Sequence, residues 1–235
     1  MRRITPLLYA ADVSRSLPLF PLTTALVPGL VLPLHIFEPR YRAMVSELMS
    51  ESDEDNREFG IIAVRPGMDP HRDGLRALYD VGTTTILRSA DQLPDGRYDI
   101  MTTGSRRFTI TSLDTSHALL RAEIDYLEDI ESPDDAGLAA KVVTDFHAYR
   151  RLLSGQVEGM DEGAEGFPDD PTVLSYLVTA ATVLPVDERQ ALLACPTTAA
   201  RLRLAHRTLR REIGIITALG ALPAIDPLIN APSDN

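Results

Sequence analysis

The hydrophobic pattern of this chain changes its period near residue 131, and that change limits the possible folds more than any other feature. Before it, apolar and polar residues alternate, as in residues 107–111 and 120–126. A period of two is typical of half-buried strands, whereas the 3.6-residue period that follows is typical of amphipathic helices. The sequence therefore predicts an α+β protein, with a strand-rich first part and a helical second part.

The first part contains several short strands joined by turns. Residues 59–64 indicate a buried strand, and residues 17–22 indicate another in which Pro18 and Pro21 favour a sheet edge or a bulge. Pro94 and Gly96 lie in a hairpin turn between two further strands. Many short strands of this kind favour a small barrel or a strongly bent sheet.

The second part carries helix signals. A helix is predicted over 136–153, and Asp170 followed by Pro171 marks the start of the next, with Leu174, Leu177, Val178 and Ala181 on one face. Asp187 and Gln190 have the spacing of a capping box. The last helix, 198–219, has a predicted buried stripe of Leu202, Ala205, Leu209, Ile213 and Ile216.

These patterns divide the chain into four regions. We predict an N-terminal extension at 1–16, a β-rich pseudo-barrel subdomain at 17–131, a helical subdomain at 132–220 and a loose tail at 221–235. The Gly-rich, acidic stretch 156–170 is predicted to be an exposed mobile loop.

Composition excludes several classes of partner and site. The net charge of -11 argues against nucleic acid and anionic membranes as partners. Cys195 is the only cysteine, which excludes an internal disulfide and a Cys-built zinc site. The first residues lack the long apolar core of a signal peptide, and the chain has no apolar stretch that could span a bilayer, so the expected location is cytoplasmic.

A cluster of charged residues at 38–42 interrupts an apolar run. Tyr41, Met44, Val45 and Leu48 are spaced as one face of a helix that begins at Pro39. Arg40 and Arg42 then lie off that face. The cluster is therefore mainly explained by a strand-to-helix turn, and a ligand-contacting role for the two arginines is the alternative.

The run LPLFPLTTALVPGLVLPLHIFEPRYRAMV, residues 17–45, resembles the start of the N-terminal, substrate-binding domain of Lon proteases. Weaker motifs follow in the family's order at 59–62, 81–83, 104–108 and 120–124, and residues 170–213 are similar to the family's helical half. The resemblance covers about residues 17–219. It implies a bent, PUA-like β pseudo-barrel followed by an α-helical bundle.

Motifs for catalysis are missing. Lon proteases continue into an ATPase module and a Ser-Lys protease module, but no phosphate-binding loop occurs here, and the only lysine, Lys141, lies in a predicted amphipathic helix. Cys195 is expected to be a partly buried, inert thiol. The histidines are scattered, and His35 is expected to be a hydrogen-bonded core residue. We therefore predict no catalytic residue, no metal ligand and no cofactor.

Arginines of the last helix form a predicted basic patch, made of Arg201, Arg203, Arg207, Arg210 and Arg211. Pairing with the two acidic runs of the same chain, residues 123–135 and 158–170, explains this patch better than RNA binding, because no aromatic residues are interleaved with the arginines.

These observations favour a non-catalytic polypeptide-binding module, acting as an adaptor or quality-control factor. Unfolded or apolar polypeptide segments would bind at an exposed sheet edge or a groove. A protease or ATPase is the further partner that the family resemblance suggests. Arg40, Arg42 and Arg106 are the candidate binding residues at the polar rim of this binding site. The alternatives are a peptidase or hydrolase of unrecognised type, and a small-molecule- or RNA-binding barrel.

Overall fold

Seven strands form one mixed sheet, and five of them close into a barrel. The computed structural model describes residues 15–154, 166–219 and 233–234. Most of the predicted N-terminal extension (1–16), of the predicted loop (156–170) and of the predicted tail (221–235) lies outside the described residues. The strands are β1 (Arg15–Leu22), β2 (Val31–Ile36), β3 (Glu58–Ala63), β4 (Val81–Gln92), β5 (Tyr98–Asp114), β6 (Arg121–Leu127) and β7 (Ser233–Asp234). Their order is β4-β3-β1-β6-β5-β2-β7, and an additional β4–β5 pairing closes the barrel. The predicted pseudo-barrel is confirmed.

The long strand β5 joins the barrel to an outer pair of strands. Its first part pairs with β2 and β4, and its later part pairs with β4 and β6. The hairpin from β4 to β5 turns at Gly96, whose φ of 82° is a backbone conformation that glycine adopts without strain. Ser233–Asp234, which the sequence placed in a loose tail, form β7 at the outer edge of β2.

Strand β1 tolerates two prolines although it lies inside the sheet. Residues 15–18 pair with β6, and residues 19–22 pair with β3, so the two registers do not overlap. Pro18 and Pro21 therefore each belong to a half-strand that has one paired neighbour. This arrangement explains why their missing N–H groups do not break the barrel.

The helix predicted at Pro39 is confirmed and packs against the barrel core. The helices are α1 (Pro39–Met49), α2 (Pro70–Asp73), α3 (Asp135–Ser154), α4 (Pro171–Ala181), α5 (Val186–Leu193) and α6 (Thr198–Leu219). In α1, the predicted face of Tyr41, Met44, Val45 and Leu48 is buried against the barrel core. Burial of each such side chain stabilises the fold by about 1.5–3 kcal/mol.

Helices α3, α4 and α6 pack around a second core. Phe146 and Tyr149 of α3 meet the apolar stripe of α6, in which Leu202 and Leu209 are buried. Asp170 caps α4 as predicted, because its carboxylate accepts hydrogen bonds from the N–H groups of Thr172 and Val173.

Two details of the helical prediction are wrong. Leu177 and Ala181 of α4 are exposed, whereas Ser175 and Thr179 are buried. The polar side chain of Thr179 tolerates burial because its hydroxyl donates a hydrogen bond to the Ser175 carbonyl at 2.7 Å.

The predicted capping box at Asp187 also does not form. Helix α5 starts at Val186 without a side-chain cap, and the amide of Gln190 instead donates to the Val81 carbonyl at 2.6 Å. Gln190 thereby ties α5 to the first residue of β4, a long-range contact that outweighs the local one.

A buried arginine of β5 connects the barrel to the helices. The Arg107 guanidinium donates to the carbonyls of Leu193 and Cys195, at 2.9 and 2.7 Å, and to the carbonyl of Glu128 at 2.9 Å. It also pairs with the Asp129 carboxylate at 3.0 Å. Because these partners come from both parts of the chain, Arg107 holds the two parts in a fixed relation.

Arg201 of α6 completes this junction. It is buried, pairs with the same Asp129 oxygen at 2.9 Å, and donates to the Ser175 hydroxyl at 2.9 Å. The ring of Tyr176 lies under its guanidinium at 3.9 Å, and the Tyr176 hydroxyl donates to Asp129 at 2.6 Å. Burial raises the pKa of Tyr176, so this phenol stays protonated as a donor.

Candidate functional site

Arg40 lies at the start of α1 and is held by contacts within the chain. Its guanidinium pairs with Glu38 at 2.7 Å and donates to the Ala118 carbonyl and to His71 Nε2, each at 3.2 Å. It also lies over the ring of Tyr41, 4.8 Å from the centroid. These contacts fix α1 to neighbouring loops, so Arg40 has a structural role whatever it binds.

Arg42 and Arg106 lie in different surroundings. The Arg42 guanidinium is packed against Gly96, in the turn between β4 and β5. Arg106 stacks on the ring of Tyr126 at 3.8 Å and reaches Glu128 at 3.5 Å. No contact found among the described residues joins Arg106 to either arginine of α1, so the three candidates do not form one cluster.

The single lysine and the single cysteine are placed as the sequence predicts. Lys141 is exposed on α3. Cys195 is buried, and its thiol donates weakly to the Ala191 carbonyl at 3.4 Å. Burial raises the pKa of the Cys195 thiol, which disfavours the nucleophilic thiolate.

The described parts of the chain contain neither a cluster of metal-binding side chains nor a membrane-spanning helix. There, no three His, Cys, Asp or Glu side chains gather closely enough to hold a metal ion. None of the described helices combines the length and the apolar character needed to cross a bilayer.

The predicted basic patch of α6 is divided between two environments. Arg201 faces inward to Asp129, which belongs to the acidic run that the sequence suggested as its partner. Arg211 pairs with Glu188 and with Glu212, at 2.5 and 2.6 Å, while Arg203 is exposed. Pairing within the chain thus accounts for much of this charge.

The outer edge of β2 offers backbone groups for pairing. On the inner side, the Gly104 N–H donates to the Leu30 carbonyl at 2.9 Å, and residues that bond to the neighbouring strand alternate along an antiparallel ladder. Val31, Pro33 and His35 therefore direct their backbone groups away from β5. Within the described residues, β7 pairs with this edge only at Leu34 and His35, and no described strand pairs with the outer side of Val31–Pro33, which we call the open part of the edge.

An apolar surface lies beside this open edge. Val31 is 52% exposed and Met101 is 40% exposed, and Pro33 lies directly opposite Met101 in the β2–β5 register. Leu34 and Ile36 point the other way and are buried in the barrel core. Val31, Pro33 and Met101 were not among the residues predicted to bind. The signal in the sequence that could have shown which side of β2 faces out is the period of two over residues 31–36.

Charged side chains border the same surface. His35 is not the core residue that the sequence suggested, because its side chain is 18% exposed and lies on the outward face. Its Nδ1 lies 2.6 Å from the Asp99 carboxylate and its Nε2 lies 3.0 Å from Arg97, which in turn pairs with Asp95 at 2.7 Å. The open edge is thus apolar at the Val31 end and polar at the His35 end.

Most of this chain matches one known protein family. Residues 16–211 match the family described as "ATP-dependent protease La (LON) substrate-binding domain". The chain belongs to the Lon substrate-binding domain family. The resemblance carried by residues 17–45 and the later motifs is therefore confirmed.

Curated relatives of this Lon-family chain are full-length Lon proteases. Lon protease 2 of Myxococcus xanthus is 24% identical over 212 residues, which are 87% of this chain and 24% of that protein. Lon protease 2 of Syntrophobacter fumaroxidans is 28% identical over 181 residues, which are 75% of this chain and 22% of that protein. The chain thus spans about a quarter of the length of these relatives.

Solved structures of Lon N-terminal domains share the fold. The Lon N-terminal domain protein from Xanthomonas campestris aligns with a TM-score of 0.57 at 23% identity, covering 80% of this chain and 95% of that one. The N-terminal domain of Mycobacterium avium complex Lon protease aligns with a TM-score of 0.61 at 17% identity, covering 83% and 98%.

The Lon-family match includes β2 but does not include β7, the strand paired with its outer edge. Its range, 16–211, contains β2 and the whole of β5. The two residues of β7, Ser233 and Asp234, lie beyond it. The open edge therefore belongs to the family domain, whereas the strand paired with it comes from outside the matched range.

Proposed function

We propose that this chain is a non-catalytic module that binds unfolded or apolar polypeptide segments, as an adaptor or quality-control factor of cytoplasmic proteolysis. The substrate-binding description of its family supports binding of polypeptide. The observation that carries the proposal is the open β2 edge beside exposed Val31, Pro33 and Met101.

Strand addition supplies the physical route. An extended polypeptide placed along Val31–Ile36 would pair its main chain with the outward backbone groups of β2. Every second side chain of that polypeptide would then lie beside Val31 or Pro33, on the face of the sheet that also carries Met101. Main-chain pairing is independent of side-chain identity, so such a site accepts many unfolded sequences and prefers apolar ones.

Arg42 is the predicted rim residue best placed for this site. Ile36, at the end of β2, pairs with Tyr98, which follows the turn against which Arg42 packs. We propose that Arg42 contacts polar groups of a bound polypeptide at that end. Arg40 and Arg106 stay predictions as rim contacts, and a protease or ATPase that would receive the bound segment is the proposed further partner.

Binding of fluorescein-labelled, unfolded casein, followed by fluorescence anisotropy, tests the proposal. Met101→Asp is expected to weaken binding about tenfold, because it places a charge in the apolar surface. Leu177→Asp on α4 is the matched control, since Leu177 is also 40% exposed. No saturable binding by the wild-type protein would reject the proposed function, and a larger loss in the control would move the site to α4.

The same samples test the absence of catalysis. Casein is expected to remain intact on a denaturing gel after incubation with the protein, with or without ATP. Cleavage that disappears in Lys141→Ala would overturn the non-catalytic assignment.

A further inference from the structure

The β2 edge already carries one short strand of this chain. Ser233 aligns with Leu34 and Asp234 aligns with His35, in parallel with β2. We propose that this segment is an internal occupant of the polypeptide-binding edge, which client polypeptides must displace. The proposal rests on the proposed function, and it adds an intramolecular competitor for the same backbone groups.

The alternation along β2 identifies the backbone groups that β7 uses. Because Leu34 bonds to β5, the outward groups beside it are the Pro33 carbonyl and the His35 N–H. In a parallel pair these two groups bracket Ser233, so its N–H faces Pro33 and its carbonyl faces His35. Pro33 has no N–H to leave unpaired at this edge, which suits its position there.

The length of β7 makes it a weak competitor. Its two described residues pair with Leu34 and His35, whereas a client strand can pair along the whole of Val31–Ile36. A client can therefore bind first at the Val31 end and then replace β7 at the His35 end. Such partial occupancy is expected to lower the apparent affinity for a client by about three- to tenfold.

The segment is also distinct from the rest of the domain. β7 lies beyond the range 16–211 that matches the Lon substrate-binding family, whereas the edge it covers lies inside that range. Changes in β7 can therefore alter access to the edge while the barrel core and the helical core stay unchanged.

Ser233→Pro in the full chain tests whether β7 occupies the edge. Proline removes the N–H that faces the Pro33 carbonyl, and Ser233→Ala is the matched control because it keeps this N–H. Amide hydrogen exchange at His35 is expected to accelerate about threefold or more in Ser233→Pro and to stay unchanged in Ser233→Ala. Equal exchange in the two variants would overturn the occupancy.

Casein binding by the same variants tests competition. Ser233→Pro is expected to bind labelled casein about three- to tenfold more tightly than Ser233→Ala. Faster exchange at His35 with equal casein affinity would overturn the competition while leaving the proposed function in place. Absence of casein binding in every variant would reject the proposed function and the competition together, and the exchange result would still decide whether β7 occupies the edge.

Discussion

Arg201 and Asp129 form an ion pair of 2.9 Å across the junction between the barrel and the helices, although 72 positions separate them in the chain. The same carboxylate oxygen also forms an ion pair with Arg107 at 3.0 Å. A single anion therefore neutralises part of the charge of two buried guanidiniums, and backbone carbonyls accept hydrogen bonds from Arg107 Nη1 and Arg201 Nε.

Removal of the shared carboxylate should destabilise the protein. Asp129→Asn leaves Arg107 and Arg201 buried without a counter-charge, and we expect a loss of about 2–4 kcal/mol in the free energy of unfolding, measured by urea denaturation. The lower part of this range applies because solvent screens the Asp129 carboxylate, whose side chain is 30% exposed. Asp125→Asn, at an exposed position of β6, is the control, and equal stability of both variants would contradict a role for the junction.

Gly104 in β5 should not tolerate a side chain. A Cβ atom there would clash with the Val27 carbonyl oxygen, which is backbone and cannot rotate away. We expect Gly104→Ala to lower the free energy of unfolding by about 2–3 kcal/mol. Gly137→Ala is the control: its Cβ would enter open space on α3, so this variant should gain about 0.5–1 kcal/mol, and a harmless Gly104→Ala would refute the close approach.

Tyr41 should make stability depend on pH in the alkaline range. Burial raises the pKa of Tyr41 to about 12, with the nearby charge of Arg40 opposing that rise. The phenol therefore ionises first in the unfolded chain, so its contribution is complete below pH 10 and is lost as the pH rises toward 12. Between pH 10 and pH 12, the free energy of unfolding should fall by about 2 kcal/mol less in Tyr41→Phe than in the wild-type protein. Parallel curves of unfolding free energy against pH for the two proteins would contradict this prediction.

Cys195 should react slowly in the folded protein. Its thiol is buried, and burial raises its pKa, so little thiolate is available near neutral pH. We expect the aromatic disulfide DTNB to react about 100-fold more slowly with the native protein than with the urea-unfolded protein. Because Cys195 is the only cysteine, the absorbance change reports on it alone, and rapid native labelling would show an accessible thiol.

Local signals in the sequence determined the type and start of many elements. The buried face of α1 follows from the spacing of its apolar residues after Pro39, the start of α4 from Asp170, and the β4–β5 turn from Gly96. Each depends on residues that are neighbours in the chain, so periodicity and capping chemistry were sufficient to predict them.

Tertiary structure alone decided the features that depend on distant residues. Gln190 binds Val81 instead of forming a local cap, and Leu177 of α4 is exposed because a polar face packs inward. The shared carboxylate of Asp129 and the open edge of β2 likewise depend on which strands become neighbours when the barrel closes. Periodicity reports which side of an element is buried, but the identity of the packing partner is set by register and closure, which bring together residues far apart in the chain.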